Sequence, residues 1–194
     1  MKKLFLILVA ICTHFSIGLQ AKTKYLYAPS EQNPYGLANP AAPEQVKDFD
    51  KLIGVSNCKS VRKNKDQDWG DEVNMTWTFQ YIMNGMGVQD STLKADGIHS
   101  GSIRLFDTEN NHWQVHYYTT NINSKAQNLN MWTGGKKDQN LVFYRDMKAP
   151  NGMDGFYRLS FTEITKSSFN WIGEWVDMNE TITFPTWKIT CKKQ

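Results

Sequence analysis

The chain has 194 residues, of which 40% are hydrophobic and 13% aromatic, with seven Trp. Its 22 basic and 19 acidic residues give a formal charge of +3 with no basic runs, which excludes nucleic acid and anionic membrane surfaces as charge-driven partners. Aromatic and β-branched side chains favour pleated, half-buried surfaces, so the composition points to an all-β protein.

Residues 1–21 read as a secretory signal peptide. Lys2 and Lys3 supply the positive start, Leu4 to Ile11 the apolar core, and Ser16-Ile17-Gly18 or Leu19-Gln20-Ala21 the small-residue exit. That core is far shorter than the ~20 residues of a membrane span. Ile11 is too large to precede a lipoprotein cysteine at Cys12, so export with cleavage is expected, and with so short a core no integral membrane segment is expected to remain. The expected destination is the periplasm or the extracellular space. Cleavage removes two lysines and no acid, leaving a nearly neutral chain whose ~170 residues suit one domain.

Residues 22–43 carry Pro29, Pro34, Pro40 and Pro43 among Ala, Asn, Gln and Ser, a composition that resists helix and sheet. They read as a flexible or extended leader, or as a strap wrapping the domain through Tyr25, Leu26, Tyr27 and Tyr35. The folded domain is expected over residues 44–194. It opens with a short amphipathic segment, Glu44 to Ile53, in which Val46, Phe49, Leu52 and Ile53 recur at helical spacing behind Pro43. One such helix suits the mouth of a barrel, and Gly54 ends it.

Strands follow. Val55 to Arg62 comes first. In Val73 to Met83 the residues Val73, Met75, Trp77, Phe79, Tyr81 and Met83 alternate with polar ones, a period of two. Met86 to Leu93 is a weaker candidate. Further strands are expected at His99 to Asp107, His112 to Thr120, Gln127 to Thr133, Asn140 to Asp146, Phe156 to Glu163, Phe169 to Val176 and Pro185 to Cys191. Between them lie turn clusters such as Asp96-Gly97, Asn110-Asn111, Gly134-Gly135 and Asn151-Gly152. Nine or ten strands with short links favour an antiparallel up-and-down β-barrel, and closure removes exposed sheet edges. The alternative is a two-sheet β-sandwich.

Cys58 and Cys191 are the cysteines that remain after cleavage, one in the first strand and one in the last. They are either a disulfide, as export favours, or two buried thiols. A bridge requires Cα atoms within ~7 Å, so it would bring the two ends of the sheet together. A metal site is not expected: His112 and His116, if in a strand, lie ~13 Å apart along it.

No nucleophile elbow, phosphate loop or metalloprotease motif is present, and no cofactor is expected. What stands out is a set of polar residues inside aromatic strands: Arg104, His116, Arg158 and Glu174. Each faces water or the lumen. A barrel of this size is too wide for side chains to fill completely, and an aromatic lining suits an apolar or ring-bearing guest. The ligand-binding candidates are Trp77, Tyr81 and Trp171 as packing walls, with Arg104, His116, Tyr118, Arg158 and Glu174 as polar anchors. The expected activity is non-covalent binding of a small apolar or aromatic molecule. The alternatives are an isomerase, cyclase or lyase using His116 or Glu174 as general acid or base, and a glycan-binding sandwich with a tryptophan platform. Oligomeric state is open.

Trp77 to Gly85 followed by Val88-Gln89-Asp90 resembles a strand, glycine and V-Q-D segment of the DUF1579-like bacterial secreted proteins, which belong with the calycin or lipocalin-like barrels. Ile103-Arg104-Leu105-Phe106-Asp107 with Trp113 resembles their next hairpin, and Phe169-Asn170-Trp171-Ile172-Gly173-Glu174 their penultimate strand. The likeness runs from about Phe49 to Cys191. It implies a ligand-sized barrel and brings no activity with it. It also implies a glycine-bearing turn where this chain has Asp177-Met178-Asn179-Glu180.

Overall fold

The described residues form ten strands: β1 (Gly54–Arg62), β2 (Val73–Ile82), β3 (Gly87–Lys94), β4 (His99–Asp107), β5 (His112–Thr119), β6 (Asn130–Lys137), β7 (Asn140–Asp146), β8 (Gly155–Thr162), β9 (Ser168–Asp177) and β10 (Thr183–Lys193). They are seen in a computed structural model that describes residues 25–121 and 130–194. The signal segment with Cys12, and residues 127–129 of the sixth expected strand, lie outside these. Each strand pairs antiparallel with its chain neighbours, and β1 pairs with β10, so the sheet is a closed up-and-down barrel and not a sandwich.

Closure rests on the first and last strands. Cys58 stands opposite Cys191 in the β1–β10 register, and the two form a disulfide with Cα atoms 4.1 Å apart. Both half-cystines are buried in the lumen with Met75 of β2, and this fixes the phase of the whole sheet. From there the register carries inward positions around the barrel: Trp77 and Phe79 on β2, Trp113 and Val115 on β5, Phe143 on β7, Phe161 on β8, and Phe169 and Trp171 on β9.

The amphipathic segment forms a 3-10 helix, Glu44–Phe49, that closes one end of the barrel. Phe49 enters the lumen and meets Trp113 edge-on at 4.9 Å, with Phe79 and Phe143 at 6.4 and 6.3 Å. Two polar contacts seat the segment: the Trp113 indole donates to Asp48 Oδ2 at 3.2 Å, and the Tyr81 hydroxyl donates to Asp50 Oδ1. Burial pushes the Asp48 carboxyl above its usual range. Offset and edge-on ring contacts of this kind add to the area each ring removes from water.

The proline-rich residues from Tyr25 onward are a strap and not a free leader. Tyr35 O accepts from Tyr81 N–H at 2.8 Å, and Gly85 O accepts from Asn39 N–H at 3.0 Å, so the strap lies across the β2–β3 turn. Of the four residues expected to hold it, Tyr27 and Tyr35 take part while Tyr25 and Leu26 stay exposed.

Two turns differ from expectation. Gly134-Gly135 lies inside β6, and the chain reverses at Asp138, whose φ is 57°. Gly134 is needed there for close approach: a Cβ would lie 2.2 Å from Val142 O, at a φ of +153°. The β9–β10 turn works without glycine. The Asp177 carboxylate accepts from Ile182 N–H at 2.6 Å, Thr181 Oγ1 at 3.1 Å and Asn179 N–H at 3.3 Å, and Glu180 takes the positive φ of 56°. An Asx-type side-chain turn thus replaces the backbone freedom of glycine.

Candidate ligand-binding site

The lumen has two halves of different character. The half under the 3-10 helix is filled by rings, with Arg104 set among Phe49, Phe79 and Phe161 at 5.3, 5.3 and 6.0 Å from their centroids. Its guanidinium pairs with Asp90, whose other oxygen accepts from the Trp77 indole at 2.8 Å. Arg104 and Asp90 are each 3% exposed, so this pair is a sealed part of the core.

The other half is hollow. A cavity of about 760 Å³ opens at the end where β1 finishes and β7 meets its turn. Five aromatic side chains line it: Tyr117, Trp132, Tyr157, Trp171 and Trp187. Trp171 stands between the halves, 6.3 Å from Trp77 on the filled side and 4.9 Å from Trp187 on the hollow side. A pocket of a few hundred cubic ångströms with apolar walls and few polar groups is the usual form of a small-molecule site.

Local irregularities shape these walls. The β9–β10 register shifts between Pro185 and Trp187, so the intervening Thr186 and Trp187 both line the cavity. Bulges re-aim side chains in this way, and one also accommodates a proline inside a strand. Thr186 Oγ1 donates to Gly173 O at 3.1 Å and therefore accepts from the Tyr157 hydroxyl, 2.8 Å away. Gly173 leaves room for that hydroxyl, since a Cβ there would lie 2.7 Å from it.

Among the described residues the charged groups at the mouth are mostly cationic: Arg62, Lys63, Lys94 and Arg145, against the single carboxylate of Asp146. Lys94 is held by Asp96 at 2.6 Å. The Arg62 guanidinium lies 3.5 Å over the Trp187 ring, and that of Arg145 lies 4.4 Å over Trp132. Burial pulls the Arg145 pKa down and pushes that of Tyr157 up, the latter opposed by the Thr186 hydrogen bond and by the charges of both arginines. The indole N–H of Trp132 is buried and has no acceptor among the described residues.

The residues singled out in the sequence fall into three places. Trp171 lines the cavity. Trp77, Tyr81 and Arg104 face inward but lie in the filled half, where Tyr81 holds Asp50 and Arg104 holds Asp90. His116, Tyr118, Arg158 and Glu174 alternate with lumen residues and point outward. Tyr118 accepts from Gln89 Nε2 at 3.0 Å across the outer face. Arg158 donates to Glu174 at 2.8 Å and also to Glu180, which accepts from Tyr144 at 3.0 Å. That outer network keeps Glu180 ionised below its usual range despite partial burial. His116 and Glu174, the acid–base candidates, are therefore not brought together at the cavity. Most of the lining was not singled out, and this includes both of its arginines, Arg62 at a strand end and Arg145 between Tyr144 and Asp146. Among the described residues no cluster of His, Cys, Asp and Glu has a metal-site arrangement, and no helix is long and apolar enough to cross a membrane.

A closed ten-stranded barrel with one filled half and one open half defines the class of fold. No family model and no curated protein matches the chain. Among solved structures it is similar to the S-type phycobiliprotein lyase of Guillardia theta, at 10% identity and a TM-score of 0.44, covering 75% of this chain and 90% of that one. It is also similar to a redesigned β-barrel, at 11% identity and a TM-score of 0.31, covering 76% and 96% respectively. Likenesses of this size carry nothing about ligand or activity.

Proposed function

We propose that this is an exported binding protein that holds a small apolar or aromatic molecule in the open half of its barrel. The observation that carries the reading is the division of the lumen. One half is packed with rings to the point of burying Phe49 and Leu52 completely, while the other keeps about 760 Å³ between five aromatic walls. A chain able to fill one half gains no stability from leaving the other hollow, because unfilled apolar space forfeits dispersion contacts. The Cys58–Cys191 disulfide supports export, since such bonds persist in oxidising compartments. Kinship with the DUF1579-like barrels belongs to the same reading.

The test is titration with 1-pyrenebutanol, a neutral aromatic probe, followed by energy transfer from tryptophan to pyrene. Saturable one-to-one binding is expected in protein stripped of bound material. Leu159, a lining residue, offers the control: Leu159→Trp intrudes on the cavity and weakens binding while circular dichroism stays native. Absence of saturable binding to natively folded protein would defeat the proposal.

A further inference from the structure

The chain has four arginines, and the structure treats them in two ways. Arg104 is paired with Asp90 in the filled half, and Arg158 with Glu174 and Glu180 on the outer face. Arg62 and Arg145 have no carboxylate partner among the described residues. Both are at the cavity, and each rests on an indole that lines it, Trp187 and Trp132. They also act on one spot, since the charges of both bear on the Tyr157 hydroxyl between β7 and β10.

From this contrast we infer that the ligand is an organic acid, with its ring or apolar body between the tryptophans and its carboxylate held by Arg62 and Arg145. The inference rests on the binding reading above. A guanidinium stacked on an indole face spends none of its in-plane N–H donors on that contact. Its planar fork remains free to meet a carboxylate with two parallel hydrogen bonds. The stack also holds the fork in place, so less side-chain entropy is lost on binding. The neighbouring charges agree with this. Lys63 adds a third cation at the mouth, and Asp146 is the lone lining carboxylate among the described residues. Asp96, which also feels Arg62, is hydrogen-bonded to Lys94. Burial of Arg145 without an acid is a cost in the empty protein that an anionic guest removes.

The experiment compares 1-pyrenebutyric acid with 1-pyrenebutanol, which share a ring body and chain and differ in the terminal group. The native protein is expected to bind the acid at least about tenfold more tightly than the alcohol. Arg62→Met and Arg145→Met should each weaken the acid by about tenfold. The alcohol should lose less than the acid does, so that the acid-to-alcohol affinity ratio falls, and far-UV circular dichroism certifies the fold of each variant. The double variant should bind both probes equally. Equal affinity of the native protein for the two probes, or an acid affinity untouched in the double variant, overturns the inference and leaves the binding reading standing. Failure of both probes to bind native protein overturns both.

Discussion

The Arg104–Asp90 pair is the place where one atom's charge should matter most to stability. Asp90→Asn removes the negative charge but keeps an acceptor for the Trp77 indole, so the hydrogen bond now 2.8 Å long can survive. What remains is a guanidinium at 3% exposure, ringed by Phe49, Phe79 and Phe161, with no counter-ion. Breaking a buried pair in this way costs about 3–5 kcal/mol. For a domain of this size that lowers Tm by about 6–20 °C. Arg104 Nε already lacks a partner, so the pair is not a fully satisfied network. Removing both charges should therefore restore much of the loss: Arg104→Met/Asp90→Asn is expected to be at least about 2 kcal/mol more stable than Asp90→Asn alone. Urea unfolding followed by tryptophan fluorescence and far-UV circular dichroism, with the disulfide intact, measures both variants. A cost below about 1 kcal/mol for Asp90→Asn would refute the reasoning, because it would mean that Arg104 finds water or another partner.

Stability should fall at alkaline pH. Burial first, and then the hydrogen bond to Asp50, raises the Tyr81 hydroxyl pKa; burial does the same for Tyr157 and Tyr144. Unfolded tyrosines ionise near pH 10, so the native state retains protons that the unfolded state releases above that pH. The contribution is complete below about pH 10 and is lost above it, at up to about 1.4 kcal/mol per pH unit for each group. Tyr81→Phe should flatten that slope, and an identical slope in the variant would remove Tyr81 from the account. Replacing Cys58 and Cys191 together by Ser should lower stability by about 2–5 kcal/mol in chemical denaturation, since the bridge closes a separation of 133 residues. Gly134→Ala should cost about 3 kcal/mol or more, because Val142 O occupies the Cβ position; a thermal melt within 3 °C of the parent, roughly 1 kcal/mol, would contradict the β6–β7 packing.

Much of the barrel is legible in the residues alone. Alternation in Val73 to Met83 marks a strand with one buried face, and nearly every other strand is placed by its turn chemistry to within a residue or two. The cysteines in the first and last strands imply that the ends meet once they are bridged, as they are in the structure. The exceptions have physical causes. Gly134-Gly135 has the composition of a turn, but Gly134 serves close approach between strands. Asp177 builds a turn from its side chain where the family resemblance implies glycine.

The site was less legible because a period of two tells which residues share a face and not which face is inside. Where both faces carry aromatic or apolar groups, as in Trp113 to Tyr118, the choice is made by neighbours: the disulfide and Met75 set the phase on β1 and β2, and hydrogen-bond register transmits it. Phe-Tyr-Arg occurs twice in the chain, at residues 143–145 and 156–158. In β7 the arginine points into the cavity and the tyrosine outward. In β8 the tyrosine lines the cavity and the arginine joins Glu174 outside. The register places Arg145 beside Tyr157 and Tyr144 beside Arg158. Sequence by itself determined the strands and the aromatic stock of the lumen, and favoured closure over a sandwich, because these follow from local alternation and from which residue types are present. Only the tertiary structure decided which arginine meets a carboxylate and which faces the hollow, because side-chain direction in a sheet is inherited from the neighbouring strand.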